Sequence, residues 1–314
     1  MRPVELISYT VWGAAWFPDG WQGLKAFLDA RELAGVELLI SGTDDPAMRP
    51  PSGLATGVHL RLPRETDSPD RRSPAAVLAE QMRVACQLGA EYVVVHANEL
   101  PRGTALLREL WEDDTSATHR IAGWVSQAYD LAGRPGMAVG LENAYGPGLR
   151  PDDPEGVAAF LNGLADGGMD AGLVLDVGHY AQHIALAGRW GGRAGTEGEV
   201  IAETRRLSQA LHERAVRVAA LHLHWPGPTV PPASALEEAT TRYRRTPDEA
   251  ERGRIVGELF ETLDRHQPLS DPGVSALVAA VGPRYVVHEV AAMSLPELAG
   301  MLDTQCTALR GGKG

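Results

Sequence analysis

The apolar run Gly172-Leu173-Val174-Leu175 ends in Asp176-Val177-Gly178-His179, which places a carboxylate and an imidazole three residues apart. So short and continuous a run reads as a strand buried on both faces of a parallel sheet. In α/β architectures the carboxyl end of such a strand faces the ligand crevice. Asp176 and His179 are therefore candidates for a metal or catalytic site. The plainer alternative is an aspartate that caps the following helix beside a satisfied histidine.

Other strand-like runs deliver the same kinds of side chain at or near their carboxyl ends: His59, His96, Glu142, His222, His224 and Glu289. Side chains alternate along a strand, so His222 and His224 share one face, as do His96 and Asn98, or His59 and Arg61. Where that face lines a barrel interior, all of them converge. Two glutamates, an aspartate and several imidazoles are costly in an apolar barrel unless a divalent cation offsets their burial. No HExxH and no paired-cysteine motif names the ion, so manganese, magnesium, cobalt, zinc and iron all stay open.

Eight valine-rich runs must position these residues: Val4 to Tyr9, Gly35 to Ser41, Gly57 to Leu62, Glu91 to Asn98, Met137 to Asn143, Ala171 to Gly178, Val218 to Trp225 and Arg284 to Val290. Most are followed by room for a helix. Strands alternating with amphipathic helices imply a parallel sheet, and eight such units imply an α/β fold of the (β/α)8 TIM-barrel type. Ser73-Pro74 and Asp153-Pro154 read as an N-cap followed by an N1 proline, and Thr246 to Glu249 and Ser294 to Glu297 as capping boxes. The helix from Ala75 to Leu88 should bury Val77, Leu78, Met82, Val84, Cys86 and Leu88. Gly42 to Ala55 is too rich in Pro and Gly for a long crossover helix. Pro226 to Gly282 is far longer than one, and its charged section, Ala235 to His266, should form an extra helical pair. The expected organisation is one barrel domain over 1–309, an insertion at 226–268 at the barrel mouth between strands 7 and 8, and a flexible tail at 310–314.

A chain of 314 residues that is 44% apolar can bury a core of this size. A net charge of -12 opposes the phosphate attraction behind duplex binding, which argues for a small-molecule substrate over nucleic acid. No window approaches the ~18 apolar residues of a membrane span, and the start of the chain lacks the apolar region of a secretory signal. The expected location is the cytoplasm. A homo-oligomer is compatible with the sequence. Cys86 and Cys306, without CxxC spacing, read as buried thiols. Lys25 and Lys313 are the only lysines, which leaves none for Schiff-base chemistry.

With Leu141-Glu142-Asn143, Leu175-Asp176-Val177-Gly178-His179, Leu221-His222-Leu223-His224 and the final-strand Glu289, the chain resembles the xylose isomerase-like TIM barrels. These include sugar-phosphate isomerases and epimerases, hydroxypyruvate isomerase and endonuclease IV. The likeness runs from about Val4 to Leu302 on short motifs. It implies that Glu142, Asp176, His222 and Glu289 hold one divalent metal and that His179 meets substrate or a further ion. Asp264-Arg265-His266 resembles the Asp-Arg-His of endonuclease IV. With His59, His96, His179, Asp264 and His266 included, all nine ligand positions of that trinuclear site are matched. The sequence departs from it in the insertion before Asp264, in Trp225, which stands where the family has an aspartate, and in the segment after His59, which lacks the tyrosine-containing DNA loop.

Arg61 and Arg64 could meet a phosphate or carboxylate. Trp12, Trp16, Tyr145, Tyr180 and Trp225 could wall an apolar pocket, with ordinary helix-sheet packing as the alternative. The resulting substrate-binding set is Arg61, His224, Trp225, Tyr145 and Arg265. Two activities fit. In the first, an isomerase or epimerase of a small sugar-like or hydroxy-carbonyl compound works through an enediolate; the resemblance to the family's epimerases implies that Glu142 and Glu289 exchange the proton, with His179 assisting. In the second, a hydrolase of a phosphodiester or amide uses a di- or trinuclear site. One bound ion favours the isomerase, two or three the hydrolase. Multi-iron oxidation and a silent barrel that binds through its insertion are further readings.

Overall fold

The computed structural model describes residues 2–10, 16–40, 49–61, 73–98, 113–143, 148–229 and 233–311. Its strands are β1 (Val4–Thr10), β2 (Gly35–Leu39), β3 (Ala55–Leu60), β4 (Tyr92–His96), β5 (Ala138–Glu142), β6 (Ala171–Asp176), β7 (Val218–Leu223) and β8 (Tyr285–His288). They pair in sequence order, all parallel, and β8 returns to β1 to close the barrel. The described helices are α1 (Trp21–Asp29), α2 (Pro74–Leu88), α3 (Asp114–Leu131), α4 (Pro154–Asp166), α5 (Val177–Leu186), α6 (Glu197–Glu213), α7 (Ala233–Arg245), α8 (Glu249–Leu263), α9 (Gly273–Val281) and α10 (Leu295–Leu309). This is the (β/α)8 barrel that the eight runs predict. None of these helices is long and apolar enough to cross a membrane.

Alternation splits each strand between two cores. The larger core lies between strands and helices and includes Leu38, Val58, Val93, Leu141, Leu175, Leu221 and Val286. The smaller fills the barrel's lower interior with Leu6, Tyr92, Val94, Val174, Ala220, Tyr285 and Val287. Small and large residues alternate around it. A Cβ at Gly57 would stand 2.4 Å from Tyr92 Cζ, and one at Gly140 2.4 Å from Val174 Cγ2, so glycine on one strand makes room for bulk on the next. The floor under the carboxyl ends is thus solid and apolar.

Helix starts follow the chemistry expected of them. Ser73 Oγ accepts from Ala76 N–H, Asp153 from Gly156 N–H and Ser294 from Glu297 N–H. Three readings are corrected. The cap of α8 is Asp248, which accepts from Glu251 N–H at 2.8 Å, whereas Thr246 donates back to Arg242 O at 2.8 Å and so closes α7. Cys86 is exposed, because α2 turns Ala79, Met82 and Ala85 to the core and leaves the thiol outside. Val77 and Val84 on the same helix are only half-buried. Much of the Gly42 to Ala55 crossover lies outside the described residues.

The charged segment after β7 does form a helical pair, α7 and α8. Its two ends are joined by an isolated antiparallel bridge: Trp225 N–H donates to Gln267 O at 2.8 Å and Gln267 N–H to Trp225 O at 2.9 Å. This neck fixes where Asp264 and His266 emerge.

Candidate metal centre

Above the apolar floor the same inward positions change character. Glu37, His59, Glu142, Asp176, His222 and His224 are all buried. The strand periodicity that aims Val287 inward carries Glu289 inward as well, while His288 turns out toward α10.

Three sets of ligand atoms result, each with its members within 4.8 Å of one another. The first is His59, His96 and Glu142, where Glu142 Oε2 lies 3.3 Å from His59 Nε2 and 3.4 Å from His96 Nε2. The second is Glu142, Asp176, His222 and Glu289. His222 Nδ1 is its hub, 3.1 Å from Glu289 Oε2, 3.5 Å from Glu142 Oε1 and 3.7 Å from Asp176 Oδ2. In the third, Asp264 gathers three imidazole Nε2 atoms: His224 at 3.1 Å, His266 at 3.1 Å and His179 at 3.4 Å. Glu142 serves two sets.

Two of the three ring nitrogens turned away from the third set meet backbone carbonyls, while the third, His224 Nδ1, lies 3.5 Å from Asp176 Oδ2. His179 Nδ1 is 3.0 Å from Asn143 O, and His266 Nδ1 is 3.0 Å from Glu289 O. A carbonyl only accepts, so each Nδ1 carries the proton and, in the neutral ring, each Nε2 presents its lone pair to Asp264. Lone pairs facing a carboxylate repel unless a cation or a proton lies between them. This is the arrangement of ligating histidines, whose second N–H is held by a carbonyl.

Asp176 divides its two oxygens. Its Oδ1 accepts from His179 N–H at 2.6 Å and caps α5, while Oδ2 stays with the second set. Asn143 braces the two strands by donating to Asp176 O at 3.1 Å and accepting from Asp176 N–H at 2.9 Å. Gly178 is required by His224, since a Cβ there would sit 1.8 Å from His224 Nε2.

Electrostatics reflect the crowding. Burial alone would raise Glu142, but the imidazoles of His96, His222 and His59 hold it well below the usual carboxylate range. Burial opposes charge on His224 too, yet Asp176 and Asp264 push it up to about 10. Asp176 is driven by burial up to about 6. Without an ion, protons must hold these groups together.

The residues fit a metal by one further observation. Buried atoms that lack a hydrogen-bond partner gather here: both oxygens of Glu142, Asp176 Oδ2, His222 Nδ1, both nitrogens of His224, Asp264 Oδ1 and Glu289 Oε2. Each such atom costs roughly 1–3 kcal/mol when left unsatisfied. They face one another, so divalent cations among them would satisfy the group.

Every expected ligand on the described residues joins a set: Glu142, Asp176, His222, Glu289, His59, His96, His179, Asp264 and His266. The substrate-side expectations fare differently. His224 is fully buried inside the third set and does not line an open surface. Trp225 is half-buried and donates its indole N–H to Gly195 O at 3.3 Å. Tyr180 is buried in the outer core, and Trp16 packs against that core. Arg61 is exposed, its backbone held on both sides by Gln81. Arg265 is exposed and lies over Gly227. Tyr145, Trp12 and Arg64 lie outside the described residues. The mouth opens past His96, whose side chain is 43% exposed, and past His266 at 23%.

Glu37 is the residue that sequence reasoning missed. It is fully buried on β2 beneath the first two sets, 3.3 Å from His59 Nδ1 and 3.2 Å from His222 Nε2. Burial raises its carboxyl, yet His222 and His59 hold it down to about 2. A charge alone in the apolar run Gly35-Val-Glu-Leu-Leu39 was the available signal.

No protein-family model matches the sequence, and no curated protein matches it. Solved structures do match in fold. Endonuclease IV from Thermus thermophilus is 19% identical over 98% of this chain and 99% of that one, with a TM-score of 0.55. L-ribulose 3-epimerase is 14% identical over 100% of this chain and 96% of the other, with a TM-score of 0.54. A xylose isomerase-like TIM barrel protein from Mycobacterium smegmatis, in complex with magnesium, is 12% identical over 98% of this chain and 100% of its own, at a TM-score of 0.50. The structural neighbours of this chain are thus xylose isomerase-like TIM-barrel proteins, and at this identity the likeness is one of fold.

Proposed function

We propose that the chain is a divalent-metal hydrolase whose polynuclear centre cleaves a small phosphoester. The observation that carries this reading is the sharing of Glu142 between two ligand sets, beside a third set gathered on Asp264. Charge supports it. Glu37, Glu142, Asp176, Asp264 and Glu289 supply five negative charges, so three dications would leave the centre at +1 and a single dication would leave it at -3. Two would leave it at -1, so each added ion makes the centre more receptive to an anionic phosphoryl group. Bound cations would supply charge stabilisation and lower the pKa of a water towards ~7.

The chain's own residues do the rest. Glu289 gives Oε2 to the second set and belongs to a side chain 15% exposed at the mouth, where its other carboxylate oxygen can take a proton from an attacking water. His179 and His266, their Nδ1 protons given to backbone, hold fixed orientation through turnover. The apolar floor and the neck of the insertion exclude water from below and from one side. The net charge of -12 favours a small substrate over duplex DNA.

A second reading rests on His222 Nδ1, which lies between Glu142 and Glu289. With one ion in that set alone, the two glutamates could exchange a proton with a hydroxy-carbonyl substrate. Metal analysis of protein purified without chelator, joined to assays on bis-p-nitrophenyl phosphate and on ketoses in deuterated water, separates the two. We expect two or three equivalents of metal and phosphoester hydrolysis. One equivalent with α-proton exchange would overturn the hydrolase.

A further inference from the structure

Glu37 stands outside the ligand sets yet touches two of them. Its Oε1 lies 3.3 Å from His59 Nδ1, while its Oε2 lies 3.2 Å from His222 Nε2 and accepts from Tyr92 O–H at 2.7 Å. The carboxylate is fully buried, and so is the tyrosine that holds it. Tyr92 in turn occupies space that only a glycine at 57 leaves open. An isolated carboxylate is among the costliest groups to bury. This one is faced by side chains from three strands, β3, β4 and β7, with Tyr92 and His222 hydrogen-bonded to its Oε2 and His59 beside its Oε1, and so is anchored where it can orient its neighbours.

The two histidines meet Glu37 through different ring nitrogens. His59 turns Nδ1 down to it and leaves Nε2 for Glu142, at 3.3 Å. His222 does the reverse, turning Nε2 down and leaving Nδ1 for Glu142, Asp176 and Glu289. A neutral imidazole carries one proton, and an anion draws it to the nitrogen that it faces. With an ion in each ligand set, the nitrogen on that side would carry the lone pair and Glu37 would hold the proton on the other, so that His59 and His222 take opposite tautomers.

We infer that Glu37 is a positioning residue that ties the first and second metal sets together: an ion in one set fixes, through Glu37, the histidine of the other. The inference rests on the metal reading above. Carboxylates behind ligating histidines typically tune metal affinity by about 10–100-fold. Here one carboxylate does so for two histidines, and therefore the two affinities rise together.

Titration of metal-free protein with cobalt(II), followed by its visible d–d bands and by equilibrium dialysis, tests this. In Glu37→Gln the amide offers one acceptor oxygen and an NH2 group, so it can hold only one histidine in the ligating tautomer. Cobalt affinity should fall by roughly 10–100-fold in at least one set, with altered bands and without the steep joint filling of wild type. Glu37→Asp keeps the charge but is too short to reach both rings. It should show a smaller loss of the same kind, and it serves where Glu37→Gln does not fold. Wild-type affinity, bands and steepness in either variant would overturn the inference and leave the metal reading standing. No cobalt uptake by wild type would overturn both.

Discussion

The barrel holds a second group of ligand-type side chains, and its contrast with the inner centre is instructive. Glu5, His288 and Cys306 lie within 4.8 Å of one another outside the barrel, beneath α10. By residue type and distance they match the inner sets. Their hydrogen bonds run the other way. Gln305 Oε1 accepts from Leu269 N–H at 2.8 Å, which fixes the amide, and Gln305 Nε2 donates to Leu223 O at 2.9 Å and lies 2.9 Å from His288 Nδ1. A donor facing Nδ1 leaves His288 with its proton on Nε2, aimed at Glu5 Oε2 at 3.7 Å and Cys306 Sγ at 3.8 Å. No atom of this outer group is left without a partner, whereas the inner centre is full of such atoms. Proximity makes a candidate; the direction of the N–H bonds decides whether a cation is wanted.

Neighbouring residues on one strand give the sharpest test. Glu289→Gln should lower bound metal by at least one equivalent and abolish activity, as read by elemental analysis and turnover. In wild type, chelation should remove about 2.7 kcal/mol of stability per site if metal had been present at a hundredfold excess over its Kd, a drop in Tm of roughly 4 °C for a chain of 314 residues. Unchanged metal content in Glu289→Gln would break the contrast.

The next effect is one of pH. The folded-state pKa of His224 is raised from an ordinary 6.5 to about 10, so its contribution is fully present below 6.5 and lost as pH rises from there to about 10. Glu37, lowered from 4.5 to about 2, loses its contribution as pH falls through that lower interval. Asp176, raised from 3.8 to about 6, weakens the fold as pH rises between those values. Metal-free protein should therefore be most stable near pH 4.5, with the share of His224 intact up to about 6.5. Above this it weakens by about 1.4 kcal/mol per pH unit for each such histidine. Metal needs deprotonated ligands, so the Tm gap between loaded and metal-free protein should widen from pH 6 to 9. A constant gap by calorimetry would count against ions at these histidines.

The smallest effect belongs to the outer group. His288→Asn leaves Gln305 and Glu5 with poorer partners and should cost roughly 1–3 kcal/mol, with metal content equal to wild type. Loss of metal in this variant would erase the distinction drawn between the two groups.

The barrel was legible because each strand is a short apolar run that ends in a break, and eight of them leave one closed arrangement. Most of the centre was legible for a related reason: Glu142, Asp176 and His222 each follow such a run directly, so charge marks the strand's end. Glu37 escaped because it sits in mid-strand, where the apolar residues around it hide the alternation. The burial of His224 depends on Gly178 across the β6–α5 junction, a pairing that no local pattern carries. Cys86 was misjudged because alanines on α2 bury as well as large residues do, and the core-facing stripe shifted by part of a turn. The cap of α8 was displaced because Thr246 and Asp248 both suit that role, and only the preceding helix decides between them.

The two-residue neck at Trp225 and Gln267 has a consequence for how such a chain can change. Because Trp225 pairs with Gln267 and Arg265 N–H donates to Pro226 O at 3.2 Å, the stretch that carries Asp264 and His266 is held as a stem, and the helices before it hang from that stem as a hairpin loop does. Residues from α7 through most of α8 behave as a cassette. They could be lengthened, shortened or exchanged for another lineage's solution, and the metal ligands would keep their places. The helical pair can thus vary while the candidate ligands stay put.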